Sequence, residues 1–244
     1  MLDHAFGPVE GWPDQDLVGL SASLDVDITL AGYASGLFPM PLHESDFEGM
    51  CWWSPVKRGV IEPSALLVRR SLRKTAQHYE TTVDTAFERV IDACADPRRP
   101  GGWIDEQITD VYTALFRAGR GHSVETWDHE GRLVGGLYGV SMGGLFAGES
   151  MFHDPEHGRD ASKVALVRLM GLLVDGGRRN PLLDVQWVTS HLASLGATEI
   201  SRTHYLDLLD AALEAPELDW PDGADSRRRG YGQWPPDAAG GENA

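Results

Sequence analysis

Period-two alternation of apolar positions is the strongest pattern along this chain. It runs through Leu133–Val140, breaks at Ser141–Gly144, and resumes through Leu145–Phe152. Residues that alternate faces in this way predict a strand, a turn and a second strand. Similar runs predict strands at His122–Trp127 and Leu182–Val188. Helical spacing predicts other elements. Asp25–Gly36 reads as a short helix ending at a glycine. Leu66–His78 reads as a strand end followed by a helix. A helix beginning at Asp84 places Phe87, Val90, Ile91 and Cys94 on one stripe. Thr109–Ala118 gives another helix, closed by Gly119. Asp160 can cap a helix over 161–175 that ends at Gly176-Gly177. Ser190–Leu195 gives a short last helix.

The order helix, helix, three strands, helix, strand predicts an α/β (α+β) fold with a mostly antiparallel mixed sheet. We place a boundary near Glu62-Pro63. This leaves a small N-terminal domain over 1–62, with 1–16 expected to be poorly ordered, and a main domain over 63–215. The Pro-, Gly- and Asp-rich stretch 216–244 is expected to be a disordered acidic tail.

The hairpin also contains candidate chemistry. It is rich in glycine and carries no charge until Glu149. Glycine weakens a strand, so its usual reason is close approach of another backbone or a ligand. A carboxylate after so bare a stretch needs a partner. Taken alone, the run reads equally well as a buried hairpin with bulges. Asp184 and Gln186 lie two apart on a predicted strand, which turns both to one face and Leu183, Val185 and Trp187 to the core.

Composition narrows the setting. The 244 residues are 42% hydrophobic and 24% charged, ordinary for a globular protein. No run is apolar enough to span a bilayer. Six acids with no Lys or Arg precede residue 31, unlike a secretory leader. Cys51 and Cys94 are too few for a disulfide framework, and no metal-ligand spacing is present. A cytoplasmic monomer without membrane association is expected. The net charge of −16 argues against a nucleic-acid partner. Much of it, however, lies at the two ends, and Arg69, Arg70, Arg73 and Lys74 form a cationic cluster between them. On a helix their spacing shares one face, which is either a solvated surface or a phosphate contact.

Several segments form a set: YASGLFPMP from Tyr33, WWSP from Trp52, GWI from Gly102, HSVETW from His122, GESMF from Gly148, ASK from Ala161, and LLDVQWVTSHLASLGA from Leu182. In this order, from about Leu17 to Tyr205, the chain resembles the leucyl/phenylalanyl-tRNA–protein transferases. It departs from their pattern in lacking a clear Phe-Pro-Pro segment and Gly-Gly-Asp turn near the N-terminus. It also has Gly102 for Thr, Met40 for Trp and Val185 for Cys.

The resemblance implies transfer of Leu, Phe or, less well, Met from aminoacyl-tRNA to the α-amine of proteins with N-terminal Lys or Arg, which marks them for degradation by the N-end rule. It implies the fold of acetyl-coenzyme-A-dependent N-acetyltransferases (GNAT). There two parallel strands splay apart around the reaction centre, here Leu145–Phe152 and Leu182–Val188. The reaction is aminolysis of an ester and needs no cofactor. It needs a proton acceptor, oxyanion donors and positioning.

We assign Asp184 the electrostatic or proton-accepting role and Gln186 positioning, with the ribose 2′-hydroxyl as the competing proton route. Glu149 is assigned as counter-charge for the acceptor. Phe146, Gly148 and Met151 are placed in the aminoacyl pocket. Trp52, Trp53, Trp103 and Tyr112 are placed at the terminal adenosine, and Arg69, Arg70, Arg73 and Lys74 on tRNA phosphates. His191 is read as a local hydrogen-bonding residue. The alternatives are a coenzyme-A-dependent N-acetyltransferase and a tRNA- or peptide-binding module without chemistry. The first is disfavoured by HDPEHGRDASK before the helix at 161, with one glycine and three acids where a pyrophosphate loop would be.

Overall fold

The computed structural model describes residues 6–42, 49–99, 102–174 and 181–232. In chain order the elements are β1 (Leu17–Ser21), α1 (Val26–Ala34), β2 (Phe38–Met40), β3 (Met50–Trp53), β4 (Lys57–Ile61), α2 (Arg70–Ala76), β5 (Glu80–Val83), α3 (Phe87–Cys94), α4 (Glu106–Arg117) and β6 (Gly121–Trp127). Then follow β7 (Leu133–Met142), β8 (Leu145–His153), α5 (Ala161–Val174), β9 (Leu182–Gln186), α6 (Ser190–Ala193), β10 (Thr198–Ser201), α7 (Arg202–Leu213), α8 (Gly223–Ser226) and β11 (Arg228–Arg229).

Among the described residues, β1-β3-β2 form a small antiparallel sheet at the N-terminal end. A large mixed sheet runs β10-β4-β9-β8-β7-β6-β5-β11. Its one parallel pair is β8 with β9; every other neighbouring pair is antiparallel. The parallel register pairs Leu145 with Leu182, Phe146 with Leu183 and Ala147 with Asp184, and then the two strands part.

The sheet separates two apolar cores. One holds α2 and α5, with Leu72, Ala76, Leu166, Leu169 and Met170 packed over Leu137, Phe146 and Leu183. The other holds α1, α3 and α4 and the small sheet, with Tyr33, Trp52, Phe87, Ile91, Ile108 and Tyr112 over Tyr138 and Val140. The stripe Phe87, Val90, Ile91 and Cys94 is buried as its spacing requires. In α5 residues on every side are buried, because α2 and the last segment of the chain cover its outer surface. Asp25 caps α1, its Oδ1 accepting from Ile28 N at 2.9 Å. The Asp105 carboxylate does the same for Ile108 N, starting α4 three residues ahead of the predicted Thr109.

The hairpin glycines answer mostly to backbone. A Cβ on Gly139 would lie 2.2 Å from the Ala147 carbonyl oxygen, and one on Gly135 would lie 2.5 Å from the Ala161 Cβ and 2.9 Å from its carbonyl carbon. Gly135 therefore lets the first turn of α5 rest on β7. Gly135→Ala is expected to cost about 1–3 kcal/mol through overpacking, measured as a lowered urea midpoint. An unchanged midpoint would show that the start of α5 gives way freely.

Several expectations need correction. The strand β4 belongs to the large sheet, so the change of sheet falls at residues 54–56, ahead of the boundary drawn at 62. The strand end expected at Leu66 is instead a 3-10 turn at Pro63–Ala65 and an extended link to α2. Residues 6–16 are held in place: the Phe6 ring lies 4.8 Å from Trp52, and Asp16 accepts from Val56 N and Trp187 Nε1, each at 2.9 Å. Residues 216–232 are also structured. Trp220 stacks on His122 at 4.1 Å, the Glu217 carboxylate accepts from Gly143 N, and β11 pairs with β5. The apolar and aromatic residues Leu218, Trp220 and Tyr231 give this segment a core contact that its Pro and Asp content conceals. The expected stop at Gly176-Gly177 and the tail beyond 232 lie outside the described residues.

Candidate active site

Where β8 and β9 part, a cavity of about 310 Å³ opens between the two cores. Its apolar wall includes Leu137, Met151, Leu166, Leu169, Leu183 and Val185. Phe38, Met40, Trp103 and Trp187 form the side toward the small sheet, and Gly148, Glu149 and Gln186 supply the gap itself. Such a site, mostly apolar with a few convergent polar groups, is the usual form of a small-molecule pocket.

Glu149 on β8 and Gln186 at the end of β9 meet across the gap, Gln186 Nε2 donating to Glu149 Oε1 at 3.2 Å. The Tyr112 hydroxyl donates to Glu149 Oε2 at 2.9 Å, and the Tyr33 hydroxyl lies 2.5 Å from that of Tyr112. Desolvation pushes the Glu149 carboxyl up to about 7, against the pull of the Tyr33 and Tyr112 hydroxyls. Burial raises both phenols well above their usual value, so they stay protonated as donors. A carboxyl poised near neutrality on a pocket wall is suited to proton transfer.

Asp184 is placed differently from the expectation. It is fully buried and lines no part of the cavity. Arg58 on β4 grips it through Nε to Oδ1 at 2.8 Å and Nη2 to Oδ2 at 2.6 Å, and Tyr205 Oη donates to Oδ2 at 3.0 Å. The Arg58 guanidinium also donates to the Gly36 carbonyl at 3.0 Å and lies between the rings of Phe38 and Tyr205, 4.9 and 4.3 Å from their centroids. Burial opposes its charge most strongly, but Asp184 together with the Tyr205 and Tyr33 hydroxyls holds its pKa above the ordinary value. A carboxylate so engaged has no open approach for an incoming amine.

A bulge explains the changed geometry. Gly59 opposes Gln186 and Val60 opposes Asp184, so Val185 has no partner on β4. Gln186 takes a φ of +56°, and its N–H donates to Asp184 Oδ1 at 3.0 Å. Strict alternation would keep Asp184 and Gln186 on one face; the bulge instead turns Gln186 to the cavity beside Leu183 and Val185. Those two residues, expected in the core, form pocket wall, as does Trp187.

The other assignments divide. Gly148, Met151 and Trp103 line the cavity. Phe146 does not; it is fully buried beneath, 5.6 Å from the Trp220 ring. Trp52 is core, donating to Ser21 Oγ and filling the space beside Gly32. Trp53 is half-buried, donates to the Met40 carbonyl and meets the Trp187 edge at 5.8 Å, one layer behind the cavity. Tyr112 lies behind Glu149 rather than on the wall. Arg69, Arg70 and Lys74 are exposed on and before α2, and Arg73 is half-buried. His191 lies on the surface with part of its ring covered, and that partial desolvation, with the nearby Lys163, lowers its pKa.

Sequence reasoning missed Arg58, Tyr205 and Tyr33. The signal for Arg58 was partial: in KRGVI the arginine is followed directly by Gly-Val-Ile, and an arginine drawn into such an apolar strand needs a buried counter-charge.

Two ligand classes can be weighed. The loop before α5 folds on itself, the Asp154 carboxylate accepting from Glu156 N at 2.8 Å and His157 N at 2.7 Å. Those N–H groups are taken by a local carboxylate rather than open to a pyrophosphate. Among the described residues no group of three His, Cys, Asp or Glu could hold a metal ion, and no helix is long and apolar enough to cross a membrane.

Comparison with known proteins agrees with the motif set. Residues 60–210 match the family Leucyl/phenylalanyl-tRNA protein transferase, and residues 22–56 match the N-terminal domain of that family. A leucyl/phenylalanyl-tRNA–protein transferase of Afipia carboxidovorans is 46% identical over 200 residues, 80% of this chain and 85% of the relative. A protein of that name from Burkholderia cenocepacia is 42% identical over 228 residues, 90% of this chain and 85% of the relative. Another from Paramagnetospirillum magneticum is 47% identical over 194 residues, 78% of this chain and 90% of the relative.

Proposed function

Because the chain belongs to the leucyl/phenylalanyl-tRNA–protein transferase family, we propose that its cavity takes the side chain of Leu, Phe or Met carried on tRNA and presents the ester to the α-amine of a protein with N-terminal Lys or Arg. It is an aminoacyltransferase. The observation that carries the site assignment is the Glu149–Gln186 pair set in the splay of β8 and β9 at the mouth of an apolar cavity.

The chemistry follows from the groups present. The acceptor nitrogen attacks the ester carbonyl, the new C–N bond forms, and the bond to the ribose 3′ oxygen breaks. Glu149 accepts the proton that the amine must lose and is the group placed to return it to the leaving oxygen. Gln186, held by its bulge, orients the Glu149 carboxylate. Asp184 serves as a positioning residue: with Arg58 and Tyr205 it fixes the backbone at Gln186. This reassigns the proton-accepting role first given to Asp184. Leu137, Met151 and Leu183 would enclose the aminoacyl side chain; Met suits a site that takes both γ-branched and aromatic groups. Trp103 offers a face for the terminal adenine, a contact worth roughly 1–3 kcal/mol per base.

The parallel pair that parts after three residues is the arrangement expected of an acetyltransferase-like fold, and we assign that fold to the large-sheet domain, with the small sheet as its N-terminal domain. The reaction as written consumes no cofactor, and a cytoplasmic monomer working in the N-end rule fits these substrates. The blocked loop before α5 favours an aminoacyl donor over acetyl-coenzyme A.

The test is direct. With leucyl-tRNA and a protein bearing N-terminal Arg, the purified chain should form a Leu-Arg bond and should leave acetyl-coenzyme A unused. Acetyl transfer without aminoacyl transfer would overturn the reading.

A further inference from the structure

The last described segment carries three consecutive arginines, Arg227, Arg228 and Arg229, and lies beyond residue 210, where the match to the family model ends. Its position is well fixed. Arg228 pairs with Thr81 and Arg229 with Glu80 on β5, Gly230 N donates to the Tyr79 carbonyl at 2.7 Å, and Thr81 Oγ1 donates to the Gly230 carbonyl at 2.6 Å. This pairing brings the run against the C-terminal end of α2. Arg229 Nε reaches the Gln77 carbonyl at 3.5 Å, and a Cβ on Gly230 would lie 3.0 Å from the Ala76 carbonyl. Between the two elements is a groove of about 350 Å³ lined by Arg73, Gln77, Arg229 and Tyr231.

The charges at this junction are unequal. Arg227 is neutralised by Glu80. Arg228 Nη1 donates to the carbonyls of Asp225 and Arg227, each at 2.7 Å, which fixes the guanidinium without cancelling its charge. Arg69, Arg70, Lys74, Arg228 and Arg229 are exposed, and among the described residues no carboxylate pairs with them. In a chain of net charge −16, such a concentration of unpaired cations on one surface is a local reversal. The surface is on the cavity's side of the sheet. Leu72 and Ala76 pack α2 into the core that contains α5, whose Leu166 and Leu169 line the cavity.

We infer that β11 and α2 together form one two-part cationic surface, and that its partner is the sugar-phosphate backbone of the donor tRNA, away from the aminoacylated end. The inference rests on the proposed function, which supplies a polyanionic substrate. Exposed guanidinium and ammonium groups on a well-anchored strand and helix suit a chain of phosphates: each contact releases counterions, and no base has to be read. The C-terminal segment is then part of the substrate-binding surface, not an appendage.

Arg228→Ala/Arg229→Ala tests this against the wild type. Binding of leucyl-tRNA is followed across a salt series, and transfer is compared for leucyl-tRNA and for the minimal donor leucyl-adenosine. The variant should bind leucyl-tRNA about tenfold more weakly at about 0.1 M salt, and the slope of log K against log salt should flatten by roughly 1.4–1.8 for two lost contacts. The ratio of KM for leucyl-tRNA to KM for leucyl-adenosine should rise by a similar factor. Arg228→Lys/Arg229→Lys, which keeps the charge, should hold the wild-type salt slope. Wild-type affinity and slope in the Ala variant would overturn the inference, as would equal losses on both donors, which would make β11 purely structural. If the wild type itself neither binds nor uses leucyl-tRNA, the proposed function falls as well, so the two failures are distinguishable.

Discussion

Replacing Glu149 by Gln is expected to lower the turnover of aminoacyl transfer by about 10²–10⁴-fold, the usual contribution of a positioned general base. The substitution keeps the volume and an acceptor oxygen for Tyr112, so the cavity should persist and donor binding should change little. The pH dependence separates this role from a structural one. Below about 7 the wild-type carboxyl is protonated and cannot accept a proton, so turnover should fall as the pH drops through that value. The acceptor's own α-amine titrates at about 7.7–8.0, so the Glu149 limb is identified by its loss in the variant. Stability moves in the opposite sense. The folded carboxyl has a higher pKa than in the unfolded chain, so its neutral form contributes stability that is complete below about 4.5 and is lost as the pH rises through about 7. The Gln variant should therefore match the wild type in acid and exceed it slightly at pH above 8 in urea unfolding. A variant retaining more than about a tenth of wild-type turnover would remove Glu149 from the proton path.

The second large effect is on stability. Arg58→Met is expected to cost about 3–5 kcal/mol, because it leaves the Asp184 carboxylate buried without its cation. That is a large fraction of the roughly 5–15 kcal/mol that holds a typical domain. Both side chains of the pair are at most 1% exposed, so water cannot replace the lost partner without opening the core. Asp184→Asn should be damaging for the converse reason, leaving the guanidinium between Phe38 and Tyr205 without a counter-charge. The double variant Arg58→Met/Asp184→Leu should recover much of the lost stability, since both desolvation penalties vanish together. It should not recover transfer, because Gln186 loses the Asp184 oxygen that pins its bulge. A single Arg58→Met variant within about 1 kcal/mol of the wild type by urea unfolding would show that the pair contributes no net stability.

The parts of the fold legible in the sequence were those governed by local periodicity. The hairpin around Gly143-Gly144, the stripe of α3 and the Asp25 cap each follow from spacing within a dozen residues. The site was legible only as far as residue types go. Glu149 was marked by its bare surroundings, and Gln186 by its place two residues after an acid. What failed was the inference from alternation. A one-residue bulge at Val185 undid the period on which the facing of Asp184 and Gln186 was argued, and nothing local announces it, since Val185 and Gln186 are ordinary strand residues. The partner of Asp184 lies 126 positions away on β4, beyond the reach of any pattern read along the chain. Trp52 and Trp103 illustrate the same limit. Both are tryptophans in family motifs, yet one fills the space left by Gly32 and the other faces the cavity. The C-terminal segment was misread because composition averages over it, whereas Trp220 and Tyr231 anchor it at single points.

The position of β4 also governs how the protein comes into being during synthesis. This strand is translated early, yet both of its neighbours in the sheet, β9 and β10, come more than 120 residues later. Until they emerge, β4 presents two open edges and a lone Arg58, the kind of exposed strand that invites mispairing. Assembly must wait for contacts distant along the chain, which slows folding. A chain halted short of Asp184 has neither the carboxylate that Arg58 requires nor the glutamine that meets Glu149. On the proposed mechanism such a chain lacks the Glu149–Gln186 pair, so transfer would begin only after synthesis has passed β9.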